Sequence, residues 1–170
     1  MIAKPKEKIK IKVEILKSVS DLDLADLCNI TEQAIKAGGG FGWLRVPPRK
    51  TLNNYWKGLV VVKNRILIVG RLNNAIAGAL QLGLQSLNNE AQKNLVNITS
   101  HFVAPWARGY GLAKNMIDYA ENIAKEQNAS CVQLDIRETQ EAAIQLFKSK
   151  GYKQWGKNPN YALVEGKTIK

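Results

Sequence analysis

Residues 106–116, WARGYGLAKNM, join an apolar run, LVNITSHFV at 95–103, to a stretch in which Leu112, Met116, Ile117, Ala120, Ile123 and Ala124 recur at helical spacing. The join is a strand-to-helix turn with an uncommon makeup: Gly109, Gly111, a lone Arg108 and no acid. A helix start exposes amide N–H groups that have no partner in the first turn, together with a partial positive charge. Phosphate oxygens bind there when no side chain stands in the way. Gly109 and Gly111 leave the approach open, Ala113 keeps the first turn thin, and Arg108 adds a permanent cation with a planar donor fork. The segment is expected to seat a pyrophosphate. Taken alone, it also suits a glycine turn of another α/β protein.

The rest of the chain supplies a frame for that turn. Residues 8–15, KIKIKVEI, alternate strictly, with Ile9, Ile11, Val13 and Ile15 on one side, as in a half-buried strand. Ser20 caps a predicted helix running to about Ala37, which Gly38, Gly39 and Gly40 terminate. Pro48 opens a second helix through Tyr55 and Trp56. RILIVGRL and AIAGALQLGLQ form a hairpin across Asn73-Asn74, because asparagine tolerates the positive φ of a tight turn. After the strand at 95–103 and the helix at 111–126, CVQLDI (131–136) reads as a strand. Thr139 caps a last helix that Gly151 ends, and strand-like pieces follow at Tyr152–Trp155 and Tyr161–Val164. The order β α α β β β α β α β β defines an α/β sandwich, a mixed sheet covered by helices.

At 170 residues the chain is expected to form one domain. Its start, MIAKPKEKIK, has no apolar h-region and no apolar run is long enough for a bilayer, so a soluble, cytoplasmic protein without membrane attachment is expected. Cys28 and Cys131 are far apart and lack metal-ligand spacing, and His101 is the single histidine, which argues against a metal site. A net charge of +11 attracts any polyanion. The lysines are scattered, though, and read as a solvated basic surface, and no nucleic-acid recognition motif is evident, so nucleic acid is not the expected partner.

Arg108-x-x-Gly111-x-Ala113, following the strand and Pro105, resembles the R/Q-x-x-G-x-G/A pyrophosphate loop of the GNAT N-acetyltransferases. LDIRETQEAAIQLFKSKGYKQWG, 134–156, looks like the second motif of the same family: a strand, a helix with paired alanines, then aromatic, glycine, aromatic. The resemblance covers most of residues 8–165. It implies a mixed, mostly antiparallel central sheet with helices on both faces and splayed central strands, in a domain that lacks the last C-terminal strand. It also implies transfer of an acetyl group from acetyl-CoA, as co-substrate and without a metal, directly to a primary amine on a small molecule or peptide. A homodimer is compatible with it. The alternative is a non-catalytic module that binds acyl-CoA and docks to a partner.

By the same resemblance, the coenzyme is expected against Phe102, Val103, Arg108, Gly109, Tyr110, Gly111, Leu112, Ala113, Gln140 and Phe147. Two positions depart from the family: Gln140 stands where asparagine is frequent, and Phe147 where a tyrosine near the coenzyme sulfur is usually proposed as general acid. Phe147 also suits a core aromatic in line with Ala143 and Leu146. Glu90, ahead of the fourth strand, and His101 are candidate bases; the first also suits a solvated acid and the second a packed strand residue. Trp43, Tyr55 and Trp56, with the loop GGGFGWLRVPPRK, are expected to wall the acceptor site, or else to anchor the core.

Overall fold

The computed structural model of the protein describes residues 9–39, 42–86 and 88–170. Gly40 and Phe41 of the expected acceptor loop, and Lys4, Lys6 and Lys8, lie outside them. Strand β1 (Ile11–Ile15) leads into helices α1 (Asp21–Lys36) and α2 (Arg49–Leu59), then into strands β2 (Arg65–Leu72), β3 (Ala75–Leu84) and β4 (Leu95–Val103). Helix α3 (Leu112–Glu126), strand β5 (Cys131–Gln133), helix α4 (Glu141–Ser149) and strands β6 (Ala162–Val164) and β7 (Lys167–Ile169) complete the chain. The five-stranded sheet has the order β1-β2-β3-β4-β5; only its last pair is parallel.

Local chemistry explains most of these boundaries. The Ser20 hydroxyl accepts the Asp23 amide at 3.1 Å and caps α1. Asn73 and Asn74 both have positive φ, 52° and 89°, which matches the twist of the β2–β3 hairpin. Pro48 precedes α2 as expected. Helix α4 differs, since its cap is Gln140 rather than Thr139 and no side chain closes it. The Gln140 amide already turns back to the Arg137 carbonyl at 2.9 Å, which starts the helix one residue later.

The strand expected at Tyr152–Trp155 is absent. Gly151 (φ 88°) and Tyr152 give their amides to the Lys148 and Phe147 carbonyls, so this segment closes α4 instead of entering a ladder. Trp155 is left 81% exposed. The last strands are β6 and β7, paired with each other across Glu165 and Gly166, both at positive φ. Strand β7 is one that the sequence reading did not contain.

The helices cover both faces. Gly70, Gly78 and Val103 sit in one cross-strand row, and a Cβ at Gly70 would lie 2.7 Å from Leu112 and one at Gly78 2.9 Å from Met116, so this row faces α3. Phe102, the next residue, instead approaches Trp56 of α2, with ring centroids 6.4 Å apart. Trp56 and Leu52 of α2 and Leu27 and Cys28 of α1 are buried on that side, and Met116, Ile117 and Ala120 on the other. The Trp56 indole N–H donates to the Thr31 hydroxyl at 3.2 Å, which gives that buried donor a partner.

Candidate active site

The site begins where two strands part. Strands β4 and β5 pair only from Leu95↔Cys131 to Asn97↔Gln133, whereas β4 continues to Val103. CVQLDI is therefore a strand only over its first half, and the central strands are splayed. Strand β4 also carries a bulge: from Ala79↔Phe102 to Gln81↔Thr99 the register advances two residues in β3 and three in β4, with Ser100 at φ 49°. The bulge resets the alternation. Thr99 and Phe102 face the α1/α2 side, while His101 and Val103 face α3.

On the α3 side the geometry fits the coenzyme. The Ala104 amide bonds to the Ala77 carbonyl at 2.8 Å, so alternation turns the Val103 amide away from β3, toward the gap that β5 leaves. An extended chain bearing amides is what such an open strand edge pairs with. Gly109 (φ 86°) and Gly111 (φ 77°) lead into α3, and a Cβ at either would meet nothing within 4 Å. The Asn115 amide is the first to bond back, to the Gly111 carbonyl at 3.0 Å, so those of Leu112, Ala113 and Lys114 precede the helical ladder. Arg108 and Tyr110 are exposed beside them. Leu112 points inward and is 1% exposed, so its contribution to an anion site is its backbone.

Two other expected coenzyme neighbours are engaged elsewhere. The Gln140 side-chain amide donates to the Gly38 carbonyl at 2.9 Å and Arg137 donates to that of Gly39 at 2.9 Å, which ties the start of α4 to the loop after α1. Phe147 is 4% exposed, its ring edge-on to His101 (5.7 Å) and Tyr152 (5.1 Å). His101 Nε2 is buried without a partner. Burial pushes the imidazole down to about 4, opposed by a hydrogen bond to the Ala113 backbone. His101 is neutral at physiological pH.

The opposite face of the gap opens into a polar cleft of about 480 Å³, lined among others by Arg65, Asn97, Thr99, Ser100, Asp135 and Tyr161. Asp135 and Arg65 were not among the residues that the sequence singled out. Asp135 is two residues past Gln133, the partner of Asn97, and lines the cleft beyond the end of β5. Arg65 donates to Gln81 Oε1 at 2.9 Å, and Gln81 Nε2 donates to the Tyr55 hydroxyl at 2.6 Å. The sequence held one clue, because Gln81 is the only polar side chain in the run AIAGALQLGL.

The remaining candidates are spread out. Trp43 lies edge-on to Tyr55 at 4.9 Å, and neither lines the polar cleft. Trp56 is fully buried, in the core rather than on a cleft wall. Glu90 opens a short 3₁₀ turn and lines an adjoining cavity of about 260 Å³ with Lys93 and Gln127, which shares Leu84 and Gln85 with the polar cleft. Among the described residues, no group of three or more His, Cys, Asp or Glu could hold a metal ion, and no helix is long and apolar enough to cross a membrane.

This architecture is that of known acetyltransferases. An N-acetyltransferase from Staphylococcus aureus Mu50 superposes with a TM-score of 0.78 at 16% identity, over 94% of this chain and 93% of its own. An acetyltransferase from Salmonella typhimurium, solved with its cofactor acetyl-CoA, gives 0.73 at 16% identity, over 94% and 88%. The family model for the Acetyltransferase (GNAT) family matches residues 31–152, and the chain belongs to that family. An uncharacterized N-acetyltransferase in the hisH-hisA intergenic region of Azospirillum brasilense is 46% identical over 130 residues, 76% of this chain and 77% of its own length. The protein is an N-acetyltransferase of that family.

Proposed function

We propose that the enzyme moves the acetyl group directly to a primary amine, with the two substrates entering from opposite faces of the gap between β4 and β5. The observation that carries this reading is the gap itself: one face leads to the glycines and free amides of α3, the other to the polar cleft. Arg108 and the backbone of residues 109–113 hold the pyrophosphate, and the edge of β4 at Val103 pairs with the extended arm. Acetyl-CoA supplies an activated thioester carbonyl. A backbone N–H on the open edge of β4 stabilises the charge that develops on the carbonyl oxygen.

Asp135 takes the proton of the acceptor ammonium. It lines the cleft itself, whereas Glu90 lines the adjoining cavity and His101 lies on the α3 side of the strand with its Nε2 buried. No protein acid is needed for release, since a thiol pKa near ~8.5 makes thiolate a tolerable leaving group. No metal enters the scheme. The two free cysteines suit a reducing cytoplasm. The test is an acceptor screen with thiol-release detection, comparing the wild type with Asp135→Asn. Loss of roughly 10²–10⁴-fold in kcat with unchanged acetyl-CoA affinity is expected for a missing base. An undiminished kcat removes Asp135 from the role.

A further inference from the structure

We propose that the acceptor is a small zwitterion of the α-amino acid class, its carboxylate on Arg65 and its ammonium beside Asp135. The inference rests on the transfer reading above and adds to it the class of acceptor. Among the described residues the cleft carries one cation and one anion, Arg65 and Asp135, and the ion pairs among those residues include neither. Opposite charges that share a wet cleft without meeting are complementary to a molecule bearing both. A polyamine or aminoglycoside would place a second cation against Arg65 and be repelled.

Arg65 is also held in place. Its guanidinium only donates, so the Gln81 side-chain amide must turn Oε1 toward it, which fixes Nε2 on the Tyr55 hydroxyl. Gln81 is 1% exposed, a buried amide in an otherwise apolar strand, and both its ends are satisfied. The brace uses one N–H of the guanidinium. The remaining fork is free to take a carboxylate in two parallel bonds, a geometry that lysine does not reproduce. Gln81 and Tyr55 are positioning residues in this arrangement.

The experiment measures kcat/KM for a panel of amino acids, their C-terminal amides and the corresponding decarboxylated amines, and titrates the same compounds calorimetrically into the CoA-saturated protein. Acids should exceed amides and amines by at least about tenfold, the effect of one lost charge-assisted contact worth ~1.4 kcal/mol or more. Arg65→Gln should bring the acid-to-amide ratio close to one, and Gln81→Leu should reduce it although Gln81 touches no acceptor. Coenzyme affinity in each variant reports that the protein is folded. Amino acid binding without transfer would retain the zwitterion site and remove the catalytic reading. Transfer to amides, peptides or plain amines as readily as to acids would retain catalysis and overturn the zwitterion site, as would neither binding nor transfer of any acid.

Discussion

His101 shows how a residue that looks catalytic in sequence is recast by its surroundings. Its Nε2 is buried without a partner, and its proton affinity falls from an ordinary 6.5 to about 4 because burial disfavours the charged ring. Between those values the unfolded chain takes up a proton that the folded protein refuses. Stability is therefore fully present above pH ~6.5 and declines as pH falls toward 4. From pH 7 to pH 5 the loss should be on the order of 2 kcal/mol by urea unfolding, and His101→Leu should largely abolish it. An unaltered slope in the variant would assign the pH dependence to other groups. Phe147 is judged by the same standard: the ring is 4% exposed between His101 and Tyr152. Phe147→Tyr should leave kcat within about twofold and lower Tm, because a hydroxyl buried without a partner costs about 1–3 kcal/mol. Faster turnover at unchanged Tm would mean that residue 147 reaches the coenzyme sulfur. Arg65 and Asp135 were illegible in sequence for a different reason, since 70 residues separate them and the sheet alone brings them into one cleft.

At the scale of elements, the local signals that fix a backbone were the ones that sequence carried. Alternation located β1, paired asparagines the β2–β3 turn, and Ser20 the start of α1; each is decided by residues a few positions apart. The end of β5 was illegible because splaying depends on β4, and 152–155 failed as a strand because its amides complete the end of α4. Two glycines whose part did not show in the sequence set how closely α3 lies on the sheet. A Cβ at Gly70 would stand 2.7 Å from Leu112 Cδ1, the end of a flexible side chain, whereas one at Gly78 would stand 2.8 Å from the Phe102 carbonyl oxygen, part of the β4 backbone. Side chains can turn aside and a paired strand cannot. Gly78→Ala should therefore cost more stability than Gly70→Ala, within the ~1–3 kcal/mol usual for overpacking. It should also weaken CoA binding in calorimetry, since the displaced backbone adjoins Val103. Equal losses in the two variants would refute a rigid β4 edge.

For the molecule as a whole, the net charge of +11 bears on how the coenzyme reaches the proposed site. The lysines are spread along the sequence, and their summed field reaches an approaching polyphosphate from any direction. That field governs encounter and should be separable from the local contact at α3. Raising ionic strength from about 0.01 M to 0.15 M shortens the Debye length from about 30 Å to about 8 Å. The association rate of CoA should then fall by roughly tenfold, while uncharged pantetheine changes little. Arg108→Gln removes the proposed pyrophosphate contact, one formed only after docking, and should act mainly by raising the dissociation rate at either salt concentration. Stopped-flow binding of both ligands to wild type and variant resolves the two contributions. If salt changed the dissociation rate alone, the basic surface would have no part in capture, and the excess of lysines would have to be explained by something other than the coenzyme.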